Sequence, residues 1–270
     1  MSSTAAQSKP DPLLQIRDLK KHFPVKKGIL NRVVNTVKAV DGISFDIYPN
    51  ETVGLVGESG CGKTTAGRSL LRLIEPTDGD IYFRGQNIVE ADTKQMRALR
   101  RNLQIIFQDP YSSLNPRMTV EDIIGEAIAF HGIARGDDAI RSRVQDLLER
   151  VGLQPSYVTR YPHEFSGGQR QRIGIARAIL RRPRFLILDA CTSAVDPLTE
   201  KAIRTGLESL RETSTVIVIA QRYSSIANAD RVFVLENGAI IEEGAPDALN
   251  RPETAFHRIL CGSDRARPLP

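Results

Sequence analysis

The sequence predicts an α/β fold with a mostly parallel sheet, interrupted in its middle by a helical insertion. Three observations predict it. Short apolar runs of strand length alternate with stretches of helical periodicity in both the first and the last third of the chain. One of those runs leads directly into a glycine-rich turn and a helix. Between them, residues 90 to 165 carry helical spacing without strand-like runs.

In order along the chain, residues 1 to 12 are small, polar and interrupted by proline, and read as a tail. Residues 13 to 19 and 39 to 47 read as strands around a basic loop, Lys26-Lys27-Gly28. Residues 51 to 57 form a run that fits a buried strand, and a helix is expected from 63 to about 73, with Leu70, Leu71 and Ile74 at helical offsets. In the insertion, Ile123, Ile124, Ala127 and Ile128 share one helical face, as do Val144, Leu147, Leu148 and Val151. From Ser166 the chain returns to helix (169 to 180), strand (185 to 188), helix (198 to 211) and strand (216 to 220). A hairpin follows, with Asn237-Gly238 as its turn. Residues 13 to 261 are expected to form one domain, with the helical insert at about 90 to 165 and a tail from 262 to 270.

Composition excludes disordered and fibrous classes: the chain has 270 residues, 41% hydrophobic and 26% charged. A net charge of +5 is compatible with a nucleotide, a nucleic acid or an anionic surface, and decides among none of them. Three widely separated cysteines, Cys61, Cys191 and Cys261, make neither a disulfide framework nor a metal spacing, and fit a reducing compartment. The N-terminus has no apolar core of a signal peptide, and no run reaches the ~18 residues of a spanning helix. For a function at a membrane, other chains are expected to supply the spans.

The segment Gly57-Glu58-Ser59-Gly60-Cys61-Gly62-Lys63-Thr64 fits G-x-x-x-x-G-K-[ST]. Glycines let the backbone curl so that N–H groups converge on a phosphate in front of a helix N-terminus. Lys63 supplies a mobile charge for the terminal phosphates, Thr64 a hydroxyl ligand for Mg²⁺, and Thr65 a contact to the first phosphate. Downstream, Asp189 ends the run Phe185-Leu186-Ile187-Leu188, where a carboxylate can hold the magnesium shell opposite the loop. Binding of ATP with Mg²⁺ follows as the expectation.

Phe165-Ser166-Gly167-Gly168-Gln169-Arg170-Gln171-Arg172 resembles the signature segment of ATP-binding-cassette ATPases. With it come Phe107-Gln108-Asp109, similar to that family's glutamine loop, and Ser193-Ala194-Val195-Asp196, similar to its D-loop. The resemblance covers about residues 13 to 250 and implies a P-loop NTPase core with an antiparallel β subdomain and an inserted helical subdomain. Three stretches resemble the oligopeptide, dipeptide and nickel importer subgroup: His22-Phe23-Pro24-Val25-Lys26-Lys27-Gly28, Phe107-Gln108-Asp109-Pro110-Tyr111-Ser112-Ser113-Leu114-Asn115-Pro116, and Arg160-Tyr161-Pro162-His163-Glu164-Phe165-Ser166. By resemblance Phe23 stacks on adenine; the alternative is a core aromatic beside the first strand. Gln108 contacts Mg²⁺ and reports nucleotide state to the helical insert. Ser166, Gly167, Gly168 and Gln169 serve the nucleotide of a partner cassette, so a dimer is implied.

Two positions depart from the family pattern. Its glutamate after the strand-end aspartate, which polarises the attacking water, is Ala190 here, and its switch histidine is Gln221. Alanine accepts no proton, so turnover at this chain's own loop is expected to be weak while binding survives. Two alternatives keep it active: Asp109 as base, or Gln221 orienting water. The segment from 189 to 196 and that from 220 to 230 read more like exporter cassettes than importers. The resemblance implies a cytoplasmic subunit, peripheral on the inner face of the cell membrane, in an importer of peptides. Its partners are a second ATPase subunit with the intact Glu and His, two membrane permeases and an extracytoplasmic substrate-binding protein, with no nucleic acid. The alternatives are a soluble cassette acting on nucleic acid or ribosomes, or a non-hydrolysing regulatory cassette.

Overall fold

A computed structural model describes residues 10–27, 32–107, 114–130, 132–189 and 214–261. Its centre is a six-stranded sheet in the order β10-β9-β3-β8-β7-β6. These strands are β3 (Thr52–Gly57), β6 (Leu103–Ile106), β7 (Phe185–Asp189), β8 (Thr215–Ile219), β9 (Arg231–Glu236) and β10 (Ala239–Gly244). Neighbours are parallel except for β9 and β10, which form the hairpin expected at Asn237-Gly238. Both turn residues have positive φ, 48° and 81°, the conformation for which asparagine and glycine are suited.

The uninterrupted apolar runs have a direct cause. Every residue of β3, β7 and β8 is buried, because helices or a second sheet cover both faces. The strands alternate between two cores. Val56, Leu186, Leu188, Val216, Val218 and Val234 face one, with helices α3 (Val120–Phe130), α4 (Asp137–Arg150) and α5 (Gly167–Arg181). Val53, Leu55, Ile187, Ile217, Phe233 and Leu235 face the other, which contains α1 (Lys63–Leu70) and an antiparallel sheet. That sheet runs β2-β1-β4-β5, from β1 (Leu14–Lys27), β2 (Arg32–Ile47), β4 (Asp78–Phe83) and β5 (Gln86–Asn87).

The structure corrects the expected elements in several places. The first two strands extend well beyond 13–19 and 39–47, and Lys26 and Lys27 lie in β1, paired with Val33 and Arg32, rather than in a loop. The added length is largely exposed on both faces, so it carries no apolar alternation from which to read a strand. The stretch from 90 to 165 is not uniformly helical: after a short helix α2 (Thr93–Leu99) it contributes β6, the edge strand paired with β7. Helix α1 ends at Leu70 rather than 73, and Arg72 takes a left-handed φ of 50°. Strands β4 and β5 and two short helices, Pro246–Leu249 and Ala255–Cys261, had no counterpart in the sequence pattern. The helix expected at 198–211 lies outside the described residues.

Candidate functional site

The glycine-rich turn joins β3 to α1 at the carboxyl end of the parallel strands, where open α/β sheets bind ligands. Its tightest point is Gly62, with φ 108°. A Cβ there would fall 1.9 Å from the Ala39 carbonyl oxygen, so only glycine fits. Helix α1 has Gly62 at its N-cap position and so no side-chain cap, whereas α2 and α5 are closed by capping boxes from Asp92 and Ser166. An uncapped N-terminus with a lysine in its first turn suits an anion. Lys63 is 7% exposed, and its ammonium donates to the carbonyls of Gly57 (2.8 Å) and Glu58 (2.6 Å), and lies 3.6 Å from Cys61 Sγ.

Thr64 lies on α1 and Asp189 at the end of β7, 125 residues later. The Thr64 hydroxyl donates to Asp189 Oδ1 at 3.3 Å. Asp189 is 2% exposed, and burial raises its carboxyl above the ordinary range, opposed by the Thr64 hydroxyl and by the charges of Arg68 and Lys63. A buried carboxylate beside a hydroxyl is a hard-oxygen pair matched to Mg²⁺, which takes one or two protein oxygens and completes its shell with phosphates and water. The donor chemistry therefore fits that ion.

A cleft of about 220 Å³ brings Ser59, Gly60, Gly62, Lys63, Thr64, Thr65, Asp189 and Gln221 together. Gln221 follows β8 and is exposed at its rim. Ala39 also lines it, through a strand position that carries no chemical signature in the sequence and was missed there. Phe23 sits on β1, 39% exposed, with the Lys21 ammonium 4.9 Å from its ring centre. It is not a member of either core, unlike the core aromatic considered as its alternative.

Ser166, Gly167, Gly168 and Gln169 begin α5 and do not line this cleft. There the Ser166 hydroxyl accepts the Gln169 N–H at 3.3 Å, and the Gln169 side chain accepts the Ser166 N–H at 3.0 Å. Gln108, Asp109, Ala190 and the segment 193–196 lie outside the described residues. A second concavity of about 430 Å³ separates β6 from α5; Leu73, Leu103, Phe107, Arg177 and Arg181 are among its lining residues. Burial lowers the pKa of both arginines, and Glu126 opposes this at Arg177.

Comparison with known proteins extends this picture. A family model described as ABC transporter matches residues 40–193. Two oligopeptide transport ATP-binding proteins of Bacillus subtilis (strain 168) are each 45% identical. The first, AppF, aligns over 94% of this chain and 78% of its own length, and the second, OppF, over 96% and 84%. A glutathione import ATP-binding protein of Salmonella typhimurium is 45% identical over 93% of this chain, which spans only 41% of that relative. Among solved structures, a dimeric ATP-binding cassette in a post-hydrolysis state with ADP and Pi superposes with a TM-score of 0.76 at 25% identity, covering 86% of this chain and 98% of that one. A cassette from Clostridium perfringens, part of an ABC transporter complex, gives 0.72 at 25% identity, over 95% and 97%. From the phosphate loop through Asp189 to the order of the sheet, and on the match of family and relatives, this chain belongs to the ABC transporter family of ATP-binding cassettes.

Proposed function

We propose that this chain is the ATP-binding subunit of a multi-component importer of peptides, peripheral on the inner face of the cell membrane. One observation carries the nucleotide half of this reading: the uncapped start of α1, with Thr64 in its first turn, and Asp189 at the end of β7 line a single cleft, and Thr64 and Asp189 meet within it. In it, the loop N–H groups and Lys63 bind and orient the phosphates, and Thr65 contacts the first of them. Phe23 stacks on the base. Thr64 and Asp189, with Gln108, would hold Mg²⁺, which when bound would neutralise charge developing on the transferred phosphoryl group. The transport half is supported by the names of the relatives, two of which are oligopeptide transport ATP-binding proteins. Among the described residues no helix is long and apolar enough to cross a membrane, which accords with permease partners in separate chains. Residues 13 to 261 act as one cassette. The groove between β6 and α5, apolar at Leu103 and Phe107 and basic at Arg177 and Arg181, is a suitable seat for a permease helix.

Hydrolysis at this chain's own loop is weak in this reading, because Ala190 replaces a general base and Gln221 a histidine. Ser166, Gly167, Gly168 and Gln169 complete the site of a partner cassette, a paralogue that retains both residues. The assembly is then a heterodimer with two permeases and an extracytoplasmic substrate-binding protein. The same two replacements favour a second reading, a regulatory cassette that never takes part in turnover. Affinity isolation of the tagged chain from its native membrane separates them. Recovery of permeases and a second, catalytically complete cassette in an ATP-hydrolysing complex is the expected result. Recovery of this chain without any cassette partner supports the regulatory reading.

A further inference from the structure

The pairing of β1 with β2 skips one residue: Lys21 faces Val40 and His22 faces Lys38, leaving Ala39 as a bulge. Bulges re-aim a strand, and this one carries the Ala39 carbonyl against the phosphate loop, where it forbids a side chain at Gly62. Asp41 anchors the bulge from two directions. Its main-chain N–H donates to Gly238 O at 2.9 Å, and the Gly238 N–H donates to Cys61 O at 3.1 Å, so the β9–β10 turn ties Asp41 to the loop. Its carboxylate reaches the other way, with Oδ1 2.8 Å from His22 Nε2 and Oδ2 accepting from the Lys38 ammonium at 3.0 Å. Those contacts hold the carboxyl of Asp41 below its ordinary range, Lys38 first and His22 second. His22 immediately precedes Phe23.

We infer that the His22–Asp41–Lys38 cluster is a positioning device that fixes the base-stacking arm relative to the phosphate loop, so that one ligand engages both. This rests on the nucleotide reading above and adds to it a residue, His22, that acts on the base through Phe23. Asp41 serves the loop through its main chain and the arm through its side chain. Loss of the side-chain contacts therefore loosens the aim of the arm relative to the loop, while the main-chain pairing of His22 with Lys38 and of Phe23 with Val37 persists and the loop stays in place.

The test is calorimetric titration of the full chain with Mg-ATP and, separately, with Mg-tripolyphosphate, which has the phosphates and no base. In His22→Ala, ATP affinity falls about 5–10-fold while tripolyphosphate affinity stays within about twofold, a differential that general loosening of the fold does not produce. His22→Gln, which keeps a donor for Asp41, recovers most of the loss. Phe23→Ala shows the same differential, and the double variant is no weaker than Phe23→Ala, since residues acting in series do not add. Equal losses for both ligands, an unchanged preference in His22→Ala, or additive losses in the double variant overturn the inference. A wild-type chain that binds neither ligand overturns the nucleotide reading as well; one that prefers ATP regardless of His22 overturns only the positioning role.

Discussion

Thr64 and Asp189 meet across 3.3 Å, although one begins a helix and the other ends a strand 125 residues later. The hydroxyl is a poor substitute for a cation beside a carboxylate that burial holds in its protonated form more readily than usual. The pair thus stores an unfavourable desolvation that a bound divalent ion would relieve.

The first prediction concerns that relief. In Asp189→Asn the affinity for Mg-ATP should fall at least about tenfold, with a smaller change for ATP in excess chelator. The ligand-free variant should be more stable than wild type at neutral pH. The folded state binds a proton at Asp189 more readily than the unfolded chain does, so wild type loses stability as pH rises from the unfolded value through the raised folded value, and asparagine avoids the loss. A Tm increase of about 2–4 °C, the effect of roughly 1 kcal/mol in a chain of this size, is expected in melts without nucleotide. A lower Tm would show that the Thr64 hydrogen bond outweighs the desolvation.

A second prediction separates backbone conformation from space at the loop. Gly60 and Gly62 both have positive φ, 83° and 108°, but a Cβ at Gly60 meets nothing within 4 Å, whereas one at Gly62 meets the Ala39 oxygen. Gly60→Ala should cost about 1 kcal/mol from strain alone. Gly62→Ala must displace the Ala39 bulge as well, and should lower Tm by about 4–8 °C with loss of ATP binding. Equal melting temperatures for the two variants would contradict the crowding at Gly62.

The start of α3 gives a pH-dependent prediction. Asp122 Oδ2 accepts from the Thr119 hydroxyl at 2.7 Å and from its N–H at 3.0 Å, and the Asp122 N–H donates back to the hydroxyl at 3.2 Å. The hydroxyl first and the N–H second hold the Asp122 carboxyl below its ordinary range. A depressed acid contributes stability that is complete above the unfolded value near pH 4 and is lost as pH falls through the folded value. Asp122→Ala should therefore destabilise by about 0.5–1 kcal/mol at pH 7, at the lower end for a cap because the group is exposed. The difference between variant and wild type should shrink below pH 4 in urea titrations. A destabilisation that is constant with pH would exclude the carboxylate as its source, and helix propensity would not supply it either, since propensity favours alanine.

The parts of the site that were legible in the sequence are those whose chemistry is local. The loop from Gly57 to Thr65 has a fixed spacing because its N–H groups must converge on one phosphate, and Asp189 is marked by the buried run before it. Strand β6 is four residues long, with Gln104 in its middle, and follows a helix closely, so neither length nor period distinguished it. Ala39 had no signal at all: its role belongs to a main-chain oxygen placed by a register shift, which only the pairing of β1 with β2 reveals. The same holds for Gly238, whose turn was expected but whose bond to Cys61 depends on how the hairpin packs against the loop.

The last prediction addresses Gln221, which the fold delivers to the rim of the cleft that contains Lys63 and Asp189. A side-chain amide there can donate a hydrogen bond to a terminal phosphate, but it carries no charge and accepts no proton near neutral pH. In the proposed reading, with alanine at position 190 in the sequence, neither position supplies a group that activates water. Single-turnover assays of the isolated chain should show retained Mg-ATP with slow cleavage. Ala190→Glu restores a base and should raise the rate about 10²–10⁴-fold, since that is the range a positioned general base supplies. Gln221→His alone should do little, and the two together should exceed Ala190→Glu, because the histidine acts on a water that the glutamate has already oriented. Brisk cleavage by the unmodified chain would mean that another group serves as base, with Asp109 first to be tested as Asp109→Asn.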